Sequence, residues 1–93
     1  MNCFLIASVD GVITDVITVR WGTNGKHQPI TNLKDAVHGI FHIPVLSCNR
    51  FEIKETNRFE YAIKIFEGYT YIIVQADDVS FALKRAERIL DEQ

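Results

Sequence analysis

Residues 50–76 alternate apolar and polar side chains, and this alternation constrains the fold more than any other feature of the chain. Phe59, Tyr61 and Ile63 recur at every second position, and the charged residues Arg58 and Glu60 lie on either side of Phe59. A side-chain period of two is typical of a β-strand with one buried face. Residues 77–93 then carry apolar side chains at helical spacing. The stretch predicts a three-stranded antiparallel meander followed by a helix that packs across it.

The N-terminal half adds two strands and a helix. Residues 3–9 are apolar on both faces, which is typical of a central strand, and Asp10 and Gly11 favour a tight hairpin turn before residues 12–21 return. An apolar stripe from Leu33 to Ile40 predicts a helix that Pro44 ends. The predicted order is ββαβββα. We therefore expect one α+β domain over residues 1–93, with a single antiparallel sheet of about five strands and two helices packed on one face.

The alternation also predicts the pairing of the first hairpin in the meander. Phe51 and Ile53 share a face with Phe59 and Tyr61 only if the loop between the strands has an odd number of residues. A three-residue loop over residues 55–57 satisfies this condition. It pairs Ile53 with Phe59 and Phe51 with Tyr61.

The last hairpin has two alternative registers. A three-residue loop around Gly68 turns Tyr69 and Tyr71 toward the buried face, whereas a two-residue loop turns Ile72 and Val74 toward it. Both registers leave apolar side chains on the other face of this strand. We therefore expect a central strand, and an apolar or aromatic surface wherever the sheet is uncovered.

The overall charge gives no sign of a nucleic-acid or membrane partner. The chain of 93 residues has a formal net charge of -2 and a pI near 5.8, and both kinds of partner usually require a basic excess or a basic face. Cys3 and Cys48 lie in apolar runs without the spacing of a disulfide framework, so we predict reduced, buried thiols. The apolar N-terminal run is short and has no basic leader. The expected location is the cytoplasm, either of the cell that encodes the protein or of a host cell.

The candidates for metal or catalytic chemistry are few. His38 and His42 have the four-residue spacing of a helical zinc site, with Cys48 as a third donor, but both point away from the apolar stripe and are interpreted as solvated. Asp15 breaks the apolar face of the second strand and indicates a bulge, a frayed pairing or a functional carboxylate. The loop at residues 22–27 lacks the spacing of a phosphate-binding P-loop. We predict no catalytic residue, no metal, no cofactor and no enzymatic activity.

A nucleic-acid-binding function is the alternative hypothesis. The order helix, three strands, helix over residues 31–92 resembles that of double-stranded RNA-binding domains. That family has lysines at the start of its second helix, where this chain has Asp77 and Asp78. The basic residues that would contact phosphates are Lys26, Lys84, Arg85 and Arg88.

A protein-binding module is the function that the sequence favours. In size and fold class the chain is similar to many small viral proteins. These are the phage-encoded inhibitors of host systems, and they include anti-CRISPR proteins. That similarity implies a non-catalytic inhibitor or adaptor that acts on a larger protein partner; the same surface would alternatively form a homodimer. Aromatic side chains supply most of the binding energy at such surfaces. The predicted contact residues are Trp21, Phe66, Tyr69 and Tyr71.

Overall fold

A computed structural model describes residues 1–22, 28–40, 46, 51–56 and 58–92 of the chain. Seven strands and two helices lie within these residues. In chain order they are β1 (Asn2–Val9), β2 (Val12–Thr18), β3 (Arg20–Trp21), β4 (Gln28–Pro29), α1 (Leu33–Gly39), β5 (Glu52–Glu55), β6 (Glu60–Phe66), β7 (Tyr69–Ala76) and α2 (Val79–Asp91).

Five of the strands form one antiparallel sheet in the order β2-β1-β7-β6-β5. This sheet confirms the predicted α+β class, the strand number and the central position of residues 3–9. Strands β3 and β4 form a separate two-stranded ladder beside the start of β1. Two hydrogen bonds join it to the main sheet there: Cys3 N–H donates to the Ile30 carbonyl, and Val19 N–H donates to the Cys3 carbonyl, each at 2.9 Å.

The two helices lie on opposite faces of the sheet, so the expectation of both helices on one face is wrong. Cys3 and Leu5 pack into a core beneath α1, whereas Phe4 and Ile6 pack into a core beneath α2. Successive side chains of a strand point to opposite faces. The physical reason is that β1 and β7 are apolar on both faces, so each face requires its own cover.

Each face therefore has its own cluster of buried side chains. The α1-side core consists of Cys3, Leu5, Val19, Ile30, Leu33, Ala36, Ile40, Leu46, Phe51, Ala62 and Ile73. The α2-side core consists of Phe4, Ile6, Tyr61, Ile63, Ile72, Val74, Ala76, Ala82, Ala86 and Ile89.

Two-residue turns close the hairpins β1-β2 and β6-β7. The backbone φ angles are 52° at Asp10 and 78° at Gly11, and 51° at Glu67 and 84° at Gly68. Positive φ at both central residues matches the right-handed twist of the flanking strands. The second turn selects the two-residue alternative for the last hairpin. Tyr69, Tyr71 and Ile73 of β7 consequently lie on the α1 side of the sheet. Ile72 and Val74, which alternate with them, enter the α2-side core.

The register of β5 against β6 differs from the prediction. Ile53 pairs with Ala62 rather than with Phe59. Thr56 closes a loop of even length, because its N–H donates to the Phe59 carbonyl at 2.8 Å and its Oγ1 accepts the Phe59 N–H at 3.2 Å. When the number of loop residues changes from odd to even, each side chain of the strand moves to the opposite face of the sheet. Phe51 therefore enters the α1-side core instead of joining the core beneath α2.

Side-chain caps begin both helices. Asn32 accepts the Asp35 N–H at 3.2 Å, and Asp78 accepts the Phe81 N–H at 2.9 Å. These bonds satisfy backbone donors that a helix start leaves unpaired. Neither described helix has the length and apolar character needed to cross a membrane.

Gly39 holds the end of α1 close to the small ladder. A Cβ at this position would lie 2.6 Å from Ile30 Cδ1 and 3.3 Å from Val19 Cγ1. The seven residues of α1 span about 10 Å, whereas the eight residues of β1 span about 26 Å. Helix α1 is therefore too short to cover the full length of the strands beneath it.

Candidate protein-binding surface

The part of the sheet that α1 leaves uncovered contains a shallow trough. The trough has a volume of about 410 Å³ and lies on the α1 side of β2, β1 and β7. We call it the tyrosine trough. Its lining residues are Leu5, Ala7, Thr14, Asp15, Ile17, Leu46, Tyr69 and Tyr71.

Ala7 forms the floor of the tyrosine trough. It pairs with Tyr71 of β7 on one side and with Asp15 of β2 on the other. Directly paired residues of neighbouring strands place their side chains on the same face. The small side chain of Ala7 therefore lies between two larger ones, and this difference in size produces the depression.

A β-bulge turns Asp15 toward the trough. Ala7 pairs with Asp15 but Ser8 pairs with Ile13, so Thr14 is an extra residue in β2. The hydroxyl of Thr14 donates to the Ala7 carbonyl at 3.3 Å. The bulge interpretation of the break at Asp15 is thus confirmed. The carboxylate lies on the same side of the sheet as the tyrosines.

The aromatic wall of the trough comes from β7. The rings of Tyr69 and Tyr71 stack with their centroids 5.9 Å apart and an interplanar angle of 21°. Tyr71 is half-buried and packs against the α1-side core, whereas 41% of Tyr69 is exposed. Phe66 pairs with Tyr69 across β6 and β7 and is half-buried. Three of the four predicted aromatic contacts therefore lie together.

Trp21, the fourth predicted contact, lies in a different place. It belongs to β3, beside the start of β1, and 51% of it is exposed. Tyr69 pairs with Val9 at the other end of β1, about 20 Å from Cys3 along the strand. Trp21 lines a second groove of about 590 Å³ instead, with Pro29, Ile30, Thr31, Asp35 and His38.

Asp15 gives the tyrosine trough its charge. Among the lining residues that the structure describes, it is the single charged one, and its Oδ1 accepts the N–H of Val16 at 2.9 Å. Among the residues that the structure describes, Lys54 and Glu52 form the ion pair shorter than 4.0 Å, with a distance of 3.8 Å. Asp15 has no basic partner among these residues. The trough thus combines an exposed carboxylate with two aromatic rings.

The two edges of the main sheet differ in their protection. The edge strand β5 has three charged residues among four, and Lys54 and Glu52 form an ion pair along it. Charged side chains deter a further strand from pairing with an edge. The edge strand β2 has seven residues, and Asp15 is its single charge. Val12 and Ile17 of β2 are 64% and 39% exposed, so the apolar surface continues from the trough to this edge.

The basic residues of the alternative hypothesis are partly engaged within the domain. The guanidinium of Arg85 lies 4.9 Å from the centroid of the Phe59 ring, and its Nη1 donates to the Gln75 carbonyl at 2.5 Å. Lys84 Nζ lies 5.5 Å from the centroid of the Phe81 ring. Arg85 is therefore held against the sheet rather than directed toward a ligand.

Acidic residues surround the remaining basic side chains of α2. Lys84 and Arg88 line a shallow surface depression together with Glu87, Asp91 and Glu92. The negative charges of these acidic side chains weaken the positive electrostatic potential that a phosphate group would encounter here. Lys26 lies outside the described residues, so the nucleic-acid hypothesis stays a prediction.

The candidates for metal or thiol chemistry are separated from the trough. His38 is exposed on α1 and lines the Trp21 groove, while His42 and Cys48 lie outside the described residues. No cluster of three metal-binding side chains occurs among the residues that the structure describes. Cys3 is a free, fully buried thiol, and burial raises its pKa from 9.0 to about 11.

No protein-family model, curated protein or solved structure matches this chain. The function is therefore inferred from the chemistry of the surface itself.

Sequence reasoning did not identify Ala7 as part of the surface. The signal was present, because Ala7 is a small residue that directly follows three bulky apolar residues of β1. Its importance depends on the pairing of β1 with β7, which joins residues more than sixty positions apart. Local patterns do not specify such a pairing.

Proposed function

We propose that this protein is a non-catalytic protein-binding module that inhibits a larger protein partner or links it to another protein. The tyrosine trough and the adjoining edge of β2 form the contact surface. The observation that carries the proposal is that the residues described by the structure cover the α1 side only in part. A short helix protects one end of the sheet, and two stacked tyrosines occupy the other end.

The chemistry of the trough supports a protein partner. Tyrosine combines a large apolar ring with a hydroxyl that forms hydrogen bonds, and it is enriched at protein interfaces for this reason. Burial of apolar surface contributes roughly 25 cal/mol per Å². Tyr69 and Ile17 are both partly exposed on opposite rims of the trough and would lose water together when a partner binds.

The edge of β2 supplies a second kind of contact. An edge strand has unpaired backbone donors and acceptors, and extended segments of other proteins bind such edges by adding a strand. The contrast between the charged β5 edge and the weakly charged β2 edge favours binding at β2. The similarity to phage-encoded inhibitors in size and class supports the inhibitory form of the proposal.

An affinity capture from a lysate of the source organism or its host tests the proposal. The immobilised proteins are the wild type, Tyr69→Ala and the matched control Phe81→Ala, and each capture is made with and without nuclease. Phe81 is an exposed aromatic residue on α2, 53% exposed, on the opposite side of the sheet. We expect one dominant protein that survives nuclease, is lost with Tyr69→Ala and is retained with Phe81→Ala.

Three results would contradict the proposal. Equal recovery of the protein by wild type and Tyr69→Ala would remove the trough from the contact surface. Recovery of the chain alone, with a dimer in sedimentation velocity, would identify the surface as a homodimer interface. Recovery that disappears with nuclease and with a Lys84→Ala/Arg88→Ala variant would favour the nucleic-acid alternative.

A further inference from the structure

We infer that the tyrosine trough binds an arginine side chain of the protein partner. This inference rests on the proposed function and specifies the chemistry of its contact. It combines three features: the small floor at Ala7, the stacked rings of Tyr69 and Tyr71, and the carboxylate of Asp15.

The dimensions of the trough suit an arginine. Asp15 and Tyr71 lie on β2 and β7, which are separated by β1, so their backbones are about 10 Å apart. The aliphatic stem of an arginine would pack on Ala7 and Ile17. Its planar guanidinium would lie against a tyrosine ring and bind the carboxylate of Asp15.

The charge of the trough excludes the other common side chains. A glutamate or a phosphate would be repelled by Asp15, which has no basic partner among the described residues. A purely apolar side chain would remove water from the carboxylate without giving it a hydrogen bond, which is unfavourable. Lysine supplies the charge but lacks the flat, delocalised group that stacks on aromatic rings.

Within the described part of the chain, Lys64 is a basic residue close to the aromatic wall on this side of the sheet. It pairs with Tyr71 from β6, whereas Ala7 pairs with Tyr71 from β1. The ring of Tyr71 thus separates Lys64 from the floor of the trough, and Lys64 is not among the lining residues. The site for a cation remains between Tyr71 and Asp15.

A second copy of the chain fits this surface less well than a different protein. Antiparallel pairing of two β2 strands about their middle would place Asp15 opposite the same residue of the other copy, because Asp15 is the central residue of Val12–Thr18. Like charges directly opposite each other destabilise a strand pair. Charge complementarity therefore favours a basic segment of a heterologous partner.

The inference can be tested with short peptides by nuclear magnetic resonance. The ¹⁵N-labelled protein is titrated at constant ionic strength with the N-acetylated, C-amidated peptides Gly-Arg-Gly, Gly-Lys-Gly, Gly-norleucine-Gly and Gly-Glu-Gly. We expect the arginine peptide to shift the amide signals of Ala7, Asp15 and Tyr71, with an affinity about tenfold above that of the norleucine peptide. Asp15→Asn should abolish this preference.

Asp15→Asn is a conservative variant, because the amide oxygen of asparagine still accepts the N–H of Val16. An unchanged spectrum elsewhere shows that the variant is folded. Equal affinity for the arginine and norleucine peptides, or absence of shifts at the trough, would overturn the inference. Retention of the arginine preference in Asp15→Asn would overturn it as well.

The same variant separates this inference from the proposed function in the lysate capture. Loss of the captured protein with both Tyr69→Ala and Asp15→Asn supports both proposals. Loss with Tyr69→Ala but full recovery with Asp15→Asn retains the protein-binding function and rejects the arginine contact. Full recovery with both variants rejects both proposals.

Discussion

Arg85 of α2 is joined to the end of β7 by a hydrogen bond from its Nη1 to the Gln75 carbonyl, 2.5 Å long. The guanidinium also lies over the Phe59 ring, at 4.9 Å from its centroid. One side chain thus attaches the C-terminal helix to two separate segments of the domain. A residue that first suggests a phosphate contact has a structural role.

Replacing Arg85 by alanine should reduce the free energy of unfolding by about 1–3 kcal/mol, because a half-buried carbonyl loses a charged donor and a ring loses its cation. Urea denaturation followed by circular dichroism measures this change. Lys84→Ala is the control, since Lys84 is exposed on the same helix and should change the value by about 0.5 kcal/mol or less. Equal effects of the two substitutions would contradict the structural role.

Gly39→Ala should destabilise the domain by about 1–3 kcal/mol, although alanine normally favours helices. The added Cβ would lie 2.6 Å from Ile30 Cδ1, so α1 or the small ladder must shift. The measurement is the midpoint and free energy of urea unfolding. Lys34→Ala on the exposed side of α1 should leave both nearly unchanged, and a stabilised Gly39→Ala variant would show that α1 lies farther from β3 and β4.

The thiol of Cys3 should make stability depend on pH in alkaline solution. Burial raises its pKa from 9.0 to about 11 in the folded protein, so the folded state retains the proton that the unfolded state releases. Its contribution is complete below the unfolded pKa of 9.0 and is lost as the pH rises through about 11. The loss amounts to about 3 kcal/mol at most.

The free energy of unfolding measured across this pH range, for wild type and for Cys3→Ala, isolates the effect. Other groups titrate in both proteins alike, so the difference between the two curves belongs to Cys3. We expect the stability advantage of the wild type to shrink as the pH rises. Two parallel curves would show that the Cys3 thiol ionises equally well in the folded and unfolded states.

Tyr69 and Tyr71 should differ in their importance for stability. Tyr71 is half-buried and packs against the α1-side core, so Tyr71→Ala should reduce the free energy of unfolding by about 2 kcal/mol. Tyr69 is 41% exposed, and Tyr69→Ala should cost about 1 kcal/mol or less. Thermal unfolding of both variants provides the comparison. A larger loss from Tyr69→Ala would indicate that Tyr69 is a core residue rather than a contact residue.

Much of the fold could be predicted from local patterns. The alternation in residues 50–76 and the Asp10-Gly11 turn depend on chemistry between neighbours along the chain, and both features were anticipated. The position of the helices was not. The alternation of residues 50–76 suggested a single core. Both faces of β1 and β7 are apolar, however, so the sheet requires two cores, one beneath each helix.

The candidate surface was predicted in part. Phe66, Tyr69 and Tyr71 were identified because either register leaves apolar side chains on the second face of the last strand, and because aromatic residues supply most of the binding energy at protein surfaces. The separation of Trp21 from this group follows from the β3-β4 ladder, which takes Trp21 away from the main sheet. The roles of Ala7 and Asp15 require the long-range pairing of β1 and the bulge at Thr14, neither of which local spacing fixes.

Photo-crosslinking at the trough, in cells of the source organism or its host, tests whether this surface contacts a protein partner. A photoreactive phenylalanine derivative, p-benzoylphenylalanine, replaces Tyr69 in one variant and Phe81 in the other, and the crosslinked products are identified by mass spectrometry. We expect one heterologous protein that is crosslinked from position 69 and is absent from position 81. The same protein crosslinked only from position 81, or no protein crosslinked from position 69, would contradict the claim that the tyrosine trough is the binding surface.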